Sequence, residues 1–82
     1  MPSSSKPSRI IHTEYGYKDL IKSVAVLRKK RGIPQTELDR IVGCADGYVA
    51  KCECGTRTPS AFMLWCFADA LKADLKVIPR NE

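Results

Sequence analysis

The sequence predicts a mainly α fold: four helices, a short β-strand after the last, and a possible extended segment before the first. Three observations predict it. Apolar residues recur at helical spacing in four separate stretches, each bounded by glycine, proline or a capping residue. At 82 residues the chain has room for one domain with a limited core. Residues 74–79, DLKVIP, then abandon the helical period and alternate in the manner of a strand.

Taken in order, residues 1–9 are rich in Ser, Pro and Lys, show no periodicity, and predict a disordered arm that carries Lys6 and Arg9. Residues 10–16 follow as a short extended segment, because Ile10, Ile11 and Tyr15 favour strand and Gly16 interrupts. His12, the only histidine, has no partner nearby in sequence and is expected in solvent. The helical domain spans residues 17–73. Its first helix, Tyr17 to Arg31, places Leu20, Ile21, Val24 and Leu27 on one face. The run Arg28-Lys29-Lys30-Arg31 then complements the negative end of the helix dipole, and Gly32 suits the left-handed position that follows.

The centre of the chain is QTELDRIVGCADGYVAKCECG, Gln35 to Gly55. Pro34 precedes a helix of about two turns, Glu37 faces its positive end, and Leu38, Ile41 and Val42 fall at helical spacing before Gly43 stops it. Cys44-Ala45 make a turn, and Asp46, as cap or first-turn residue, begins a third helix with Val49 and Cys52 inward. Gly47, Tyr48, Ala50 and Lys51 are expected to point away from the core. Two short helices joined by a tight glycine-containing turn have the outline of a helix-turn-helix. Gly55 and Pro59 frame the next turn. Ser60 is placed to cap a fourth helix whose inward face carries Ala61, Leu64, Ala68 and Leu71, widened by Trp65 and Phe67. Phe62 and Cys66 lie off that face.

Lys and Arg exceed Asp and Glu by five, and the pI is near 9.2, which favours a polyanionic partner. No apolar run approaches the length of a membrane span and no signal peptide is recognisable, so a cytoplasmic protein without a membrane partner is expected. The four cysteines, Cys44, Cys52, Cys54 and Cys66, contain no CxxC pair. They predict neither a metal site nor disulfides in a reducing compartment; Cys44 and Cys52 are expected as small apolar core residues, with Cys54 pointing outward. No cofactor is implied. There is no Ser-His-Asp set, phosphate loop, HExxH motif or paired carboxylate face, so no enzyme is expected.

The stretch LRKKRGIPQTELDRIVGCADGYVAKCECGTRTPS, with the ADAL that follows, resembles the XRE family, the phage-repressor and Cro type of helix-turn-helix. The resemblance runs from Val24 to Leu71, some 48 of the 82 residues. It rests on ten positions in register: Arg28, Gly32, Ile33, Gln35, Leu38, Gly43, Glu53, Gly55, Pro59 and Leu71. It implies a four-helix, lambda-repressor-like domain that binds double-stranded DNA through helix three. It also implies an Arg28–Glu53 ion pair joining helices one and three. The positions matching base-facing residues are Asp46, Gly47, Ala50 and Lys51. Gly47 and Ala50 offer only close approach, Asp46 can accept from cytosine, and Lys51 can donate to guanine, so direct readout is modest and DNA shape is expected to contribute. Contacts to the sugar-phosphate backbone are expected from Lys29, Lys30, Gln35, Thr36, Tyr48, Thr56, Arg57 and Thr58.

The terminal DLKVIPR resembles a variant of that family, common among antitoxin-type autorepressors, in which a strand pairs with its twin across a dimer. Phe62, Cys66, Leu75, Val77 and Ile78 are the expected interface, since large apolar groups off the core face need cover. The leading expectation is a homodimeric, sequence-specific transcriptional regulator on an inverted repeat, repressor being the commoner outcome for the family. The alternative is an antitoxin or other interaction module whose main partner is a protein, such as a toxin or RNA polymerase, with DNA binding secondary.

Overall fold

The computed structural model describes the backbone of residues 2–79 and the side chains of residues 16–79. The expectations for Lys6, Arg9 and His12 concern side chains outside that description. Four helices follow in chain order: α1 (Pro2–Lys30), α2 (Gln35–Val42), α3 (Tyr48–Cys54) and α4 (Ala61–Ala70). The fold is mainly helical, and no strand forms among the described residues.

Two expectations at the N-terminal side are corrected. The arm placed over residues 1–9 and the extended segment over 10–16 give way to α1, which starts at Pro2. Gly16 does not break the helix, because glycine costs a helix only about 1 kcal/mol relative to alanine. No proline lies between Ser8 and Ile33 to stop propagation, so the helix continues through it.

The helix ends follow the sequence more closely. Beyond α1, Gly32 adopts φ +71°, and the Ile33 N–H donates to the Arg28 carbonyl at 3.1 Å. Gly43 ends α2 at φ +84°, with its N–H on the Asp39 carbonyl. Both positions are left-handed, which is costly for a residue with a Cβ. Ser60 caps α4, its hydroxyl accepting the Met63 N–H at 3.1 Å. Lys72 then takes φ +60° with no glycine to ease it, while the Ala73 N–H closes on the Ala68 carbonyl.

The core is one cluster built from all four helices: Ile21 from α1, Leu38 from α2, Val49 and Cys52 from α3, and Leu64 and Phe67 of α4 with Leu71 just beyond it. Leu20, Val24, Leu27 and Val42 pack against it part-buried, as does Leu75 from the tail. Three expected core residues differ. Ile41 is half exposed, and Trp65 is 52% exposed instead of widening the core face of α4. Ala61, at the first position of α4, is exposed as well. The inward phase of α2 is taken instead by Asp39, the least expected member of the interior at 1% exposure.

Two long-range ties join the ends of the bundle. The Tyr17 hydroxyl donates to the Pro59 carbonyl at 2.8 Å, so the middle of α1 is held to the turn before α4. The Arg31 Nε donates to the Leu71 carbonyl at 3.0 Å and satisfies an end group of α4. Residues 73–79 have no regular structure within the single chain; Val77 is 98% exposed, and Ile78 is largely so.

Candidate nucleic-acid interface

The site is the α2–turn–α3 pair with the segments that flank it, and one buried carboxylate sets its geometry. Asp39 reaches from α2 to the start of α3, where its Oδ2 accepts the Gly47 N–H at 2.8 Å and its Oδ1 the Val49 N–H at 2.9 Å. A helix N-terminus presents unpaired N–H groups and positive dipole, so a carboxylate there is stabilised twice over. This corrects the expectation that Asp46 caps α3. Gly47 occupies the cap position at φ +85°, without a side-chain bond of its own, and Asp46 is left exposed. Asp39 shares the inward face of α2 with Gln35, Leu38 and Val42 at i−4, i−1 and i+3, a partial signal that identifies no partner.

Cys44 belongs to the same network. Its thiol lies 3.4 Å from Asp39 Oδ1, and its pKa is pushed up to about 11, first by burial and then by that carboxylate. Burial and the neighbouring carboxylate thus both disfavour the thiolate form.

A second network joins α1, α2 and α3. Arg28, itself buried, donates from Nε to Glu53 Oε2 at 2.8 Å and from Nη2 to Glu53 Oε1 at 3.1 Å. Its Nη1 takes the Ile33 carbonyl at 2.8 Å, which fixes the chain between α1 and α2. Gln35 Nε2 donates to Glu53 Oε1 at 2.7 Å. Burial acts to raise the Glu53 pKa, but the bonds from Arg28 and Gln35 and the nearby positive charge outweigh it and hold the carboxyl below its ordinary value. Gln35, expected to bind phosphate, thus commits one amide N–H to the protein. What it retains for an anion is its second N–H, beside the free backbone donors of the first turn of α2.

The outer face of α3 carries Lys51, exposed, and Ala50, part-buried, with Gly47 and Asp46 at its start. Tyr48, expected to point away from the core, is part-buried instead. Its ring packs at 6.1 Å from Phe67, and the Arg57 guanidinium lies 5.6 Å above it. That contact braces Arg57 against the helix it follows. The Thr56 hydroxyl donates to the Lys51 carbonyl at 3.2 Å, completing the end of α3, and lies 3.2 Å from the Cys54 thiol. Through this bond and the Thr56 N–H, Cys54 is held below the usual thiol pKa. Thr36, Thr58, Lys29 and Lys30 are exposed.

The residues expected at a dimer interface divide. Phe62 is 74% exposed and Val77 and Ile78 lie open, whereas Cys66 is half-buried and Leu75 is folded onto the chain's own core. Sequence reasoning missed Trp65, which joins Phe62 on the uncovered side of α4, because its phase was assigned to the core. Among the described residues no group of three or more His, Cys, Asp or Glu side chains is placed to hold a metal, and no helix is long and apolar enough to cross a membrane. Compared with protein-family models, curated proteins and solved structures, the chain matches none.

Proposed function

We propose that the chain is a sequence-specific DNA-binding transcriptional regulator, acting as a homodimer that inserts α3 into the major groove of an inverted repeat. The observation that carries this reading is the α2–α3 pair itself. Asp39 clamps the start of the second helix to the first, so that Lys51, Ala50 and Gly47 are presented on a fixed surface, with Lys29 and Arg57 near the end of α3. A helix held in this way can dock as a rigid reader, while the surrounding cations supply affinity without discrimination. Resemblance to the XRE family through Arg28, Gly32, Gln35, Glu53 and Pro59 supports the same reading. Pairing of the terminal segment with its twin would cover Val77, Ile78 and Phe62 and place two copies of α3 about 34–36 Å apart.

A second reading, a module whose main partner is a protein such as a toxin, is favoured by the open Phe62–Trp65 side of α4. Selection of bound fragments from random duplex DNA at about 0.15 M salt separates the two. An inverted repeat is expected. Within it, Lys51→Ala weakens the selected site more than random DNA, and Arg57→Ala weakens both. Recovery of no motif, or equal losses for both variants on both DNAs, refutes the assignment of α3.

A further inference from the structure

A groove runs between α1 and the end of α3 with its following turn. Lys18, Lys22 and Lys29 line one wall, and Arg57 and Thr58 the other. The three lysines stand at i, i+4 and i+11, a straight stripe on one face of α1, with small Ala25 at i+7 filling the gap between them. From Lys18 to Lys29 the stripe extends about 16 Å at 1.5 Å per residue. Among the described residues, the one carboxylate lining the groove is Glu53, already held by both Arg28 bonds and by Gln35. The four lining cations are exposed and unpaired with any carboxylate among the described residues. The groove also opens beside Arg57, a residue of the interface above, so that a strand reaching Arg57 meets the stripe next.

We propose that this groove takes the sugar-phosphate backbone of the DNA flanking each half-site, with Lys18 and Lys22 as phosphate contacts in addition to Lys29 and Arg57. The inference rests on the DNA-binding reading and extends it: the interface continues along α1, away from the bases. Lys18 and Lys22 then add affinity to every sequence alike. Each phosphate contact contributes about 0.9 to the slope of log K against log salt, which amounts to about fivefold in affinity at 0.15 M.

The test is duplex binding by the full chain across salt concentrations, comparing wild type with Lys18→Gln/Lys22→Gln. Glutamine keeps helix propensity, and both side chains are exposed, so the fold should persist, which circular dichroism verifies. The expected result is a slope lower by about 1.8 per bound protomer and a loss of about 30-fold per protomer at 0.15 M, equal on selected and random DNA. Lys18→Arg/Lys22→Arg should retain the wild-type slope. Lys72→Gln/Lys76→Gln removes the same charge away from the groove and should change it little. If the α1 variant matches that control while Arg57→Gln still lowers the slope, DNA binding stands and the groove assignment falls. A wild-type chain that ignores duplex DNA at every salt concentration overturns both.

Discussion

Asp39→Ala removes the carboxylate on which the start of α3 depends. Two hydrogen bonds to the carboxyl oxygens are lost, at 2.8 and 2.9 Å, and the Val49 N–H is left buried without a partner. A bond to a charged group contributes about 1.5–3 kcal/mol, and loss of a helix cap costs about 0.5–2. These overlap, and part is returned because a carboxylate no longer has to be buried. The net cost should be about 3 kcal/mol. A chain of this length has about 4–12 kcal/mol in total, so the loss is a large fraction of its stability. The midpoint of thermal unfolding should fall by about 12–24 °C, at 4–8 °C per kcal/mol, measured by far-ultraviolet circular dichroism. Asp39→Asn keeps one acceptor and should lose about half as much. It should also lower the pKa of Cys44, followed by alkylation rate against pH, although burial, the larger cause, remains. A drop of less than about 4 °C for Asp39→Ala refutes the clamp, since that is less than the cost of one ordinary cap.

Two further outcomes concern stability. Because the folded Glu53 carboxyl is held below its ordinary pKa, the stability it adds is complete above the unfolded value, about 4.3, and is lost as pH falls through the folded value. Glu53→Gln should therefore cost about 3 kcal/mol in urea unfolding at pH 7, and the gap to wild type should narrow steadily below about pH 4.5; a gap constant down to pH 2 contradicts the pair. Lys72→Gly relieves a left-handed residue and should raise stability by about 0.5–1 kcal/mol, seen as a higher melting midpoint; a lower midpoint would show that the left-handed turn carries no strain.

What could be read in the sequence was mostly local. Pro34, Gly43, Gly55 and Ser60 mark helix ends because the backbone conformation there is limited by the residue itself, and the structure ends its helices at those places. The Arg28–Glu53 pair came from the XRE resemblance, since nothing in spacing alone joins residues 25 apart. Asp39 was missed because an acidic residue between Leu38 and Arg40 looks like a solvated one until the start of α3 is placed beside it. Trp65 and Ile41 were misassigned for a related reason: in helices of 10 and 8 residues, one phase step decides burial, and the neighbour that decides it lies on another helix. The β-branched pair Ile10-Ile11 suggested a strand, but propensity at that level is overridden once a helix is already running.

The hydrogen bonds between elements differ greatly in the length of chain they enclose. Those of Asp39 close 8 and 10 residues, Arg28 with Glu53 closes 25, Arg31 with Leu71 closes 40, and Tyr17 with Pro59 closes 42. By loop-closure entropy, the step from 8 residues to 42 is worth about 1.5 kcal/mol. The helix pair joined by Asp39 is thus the tertiary contact with the least chain to order. It can be complete while both ends of the polypeptide are still free, and α1 and α4 then close onto a helix pair that already has its shape.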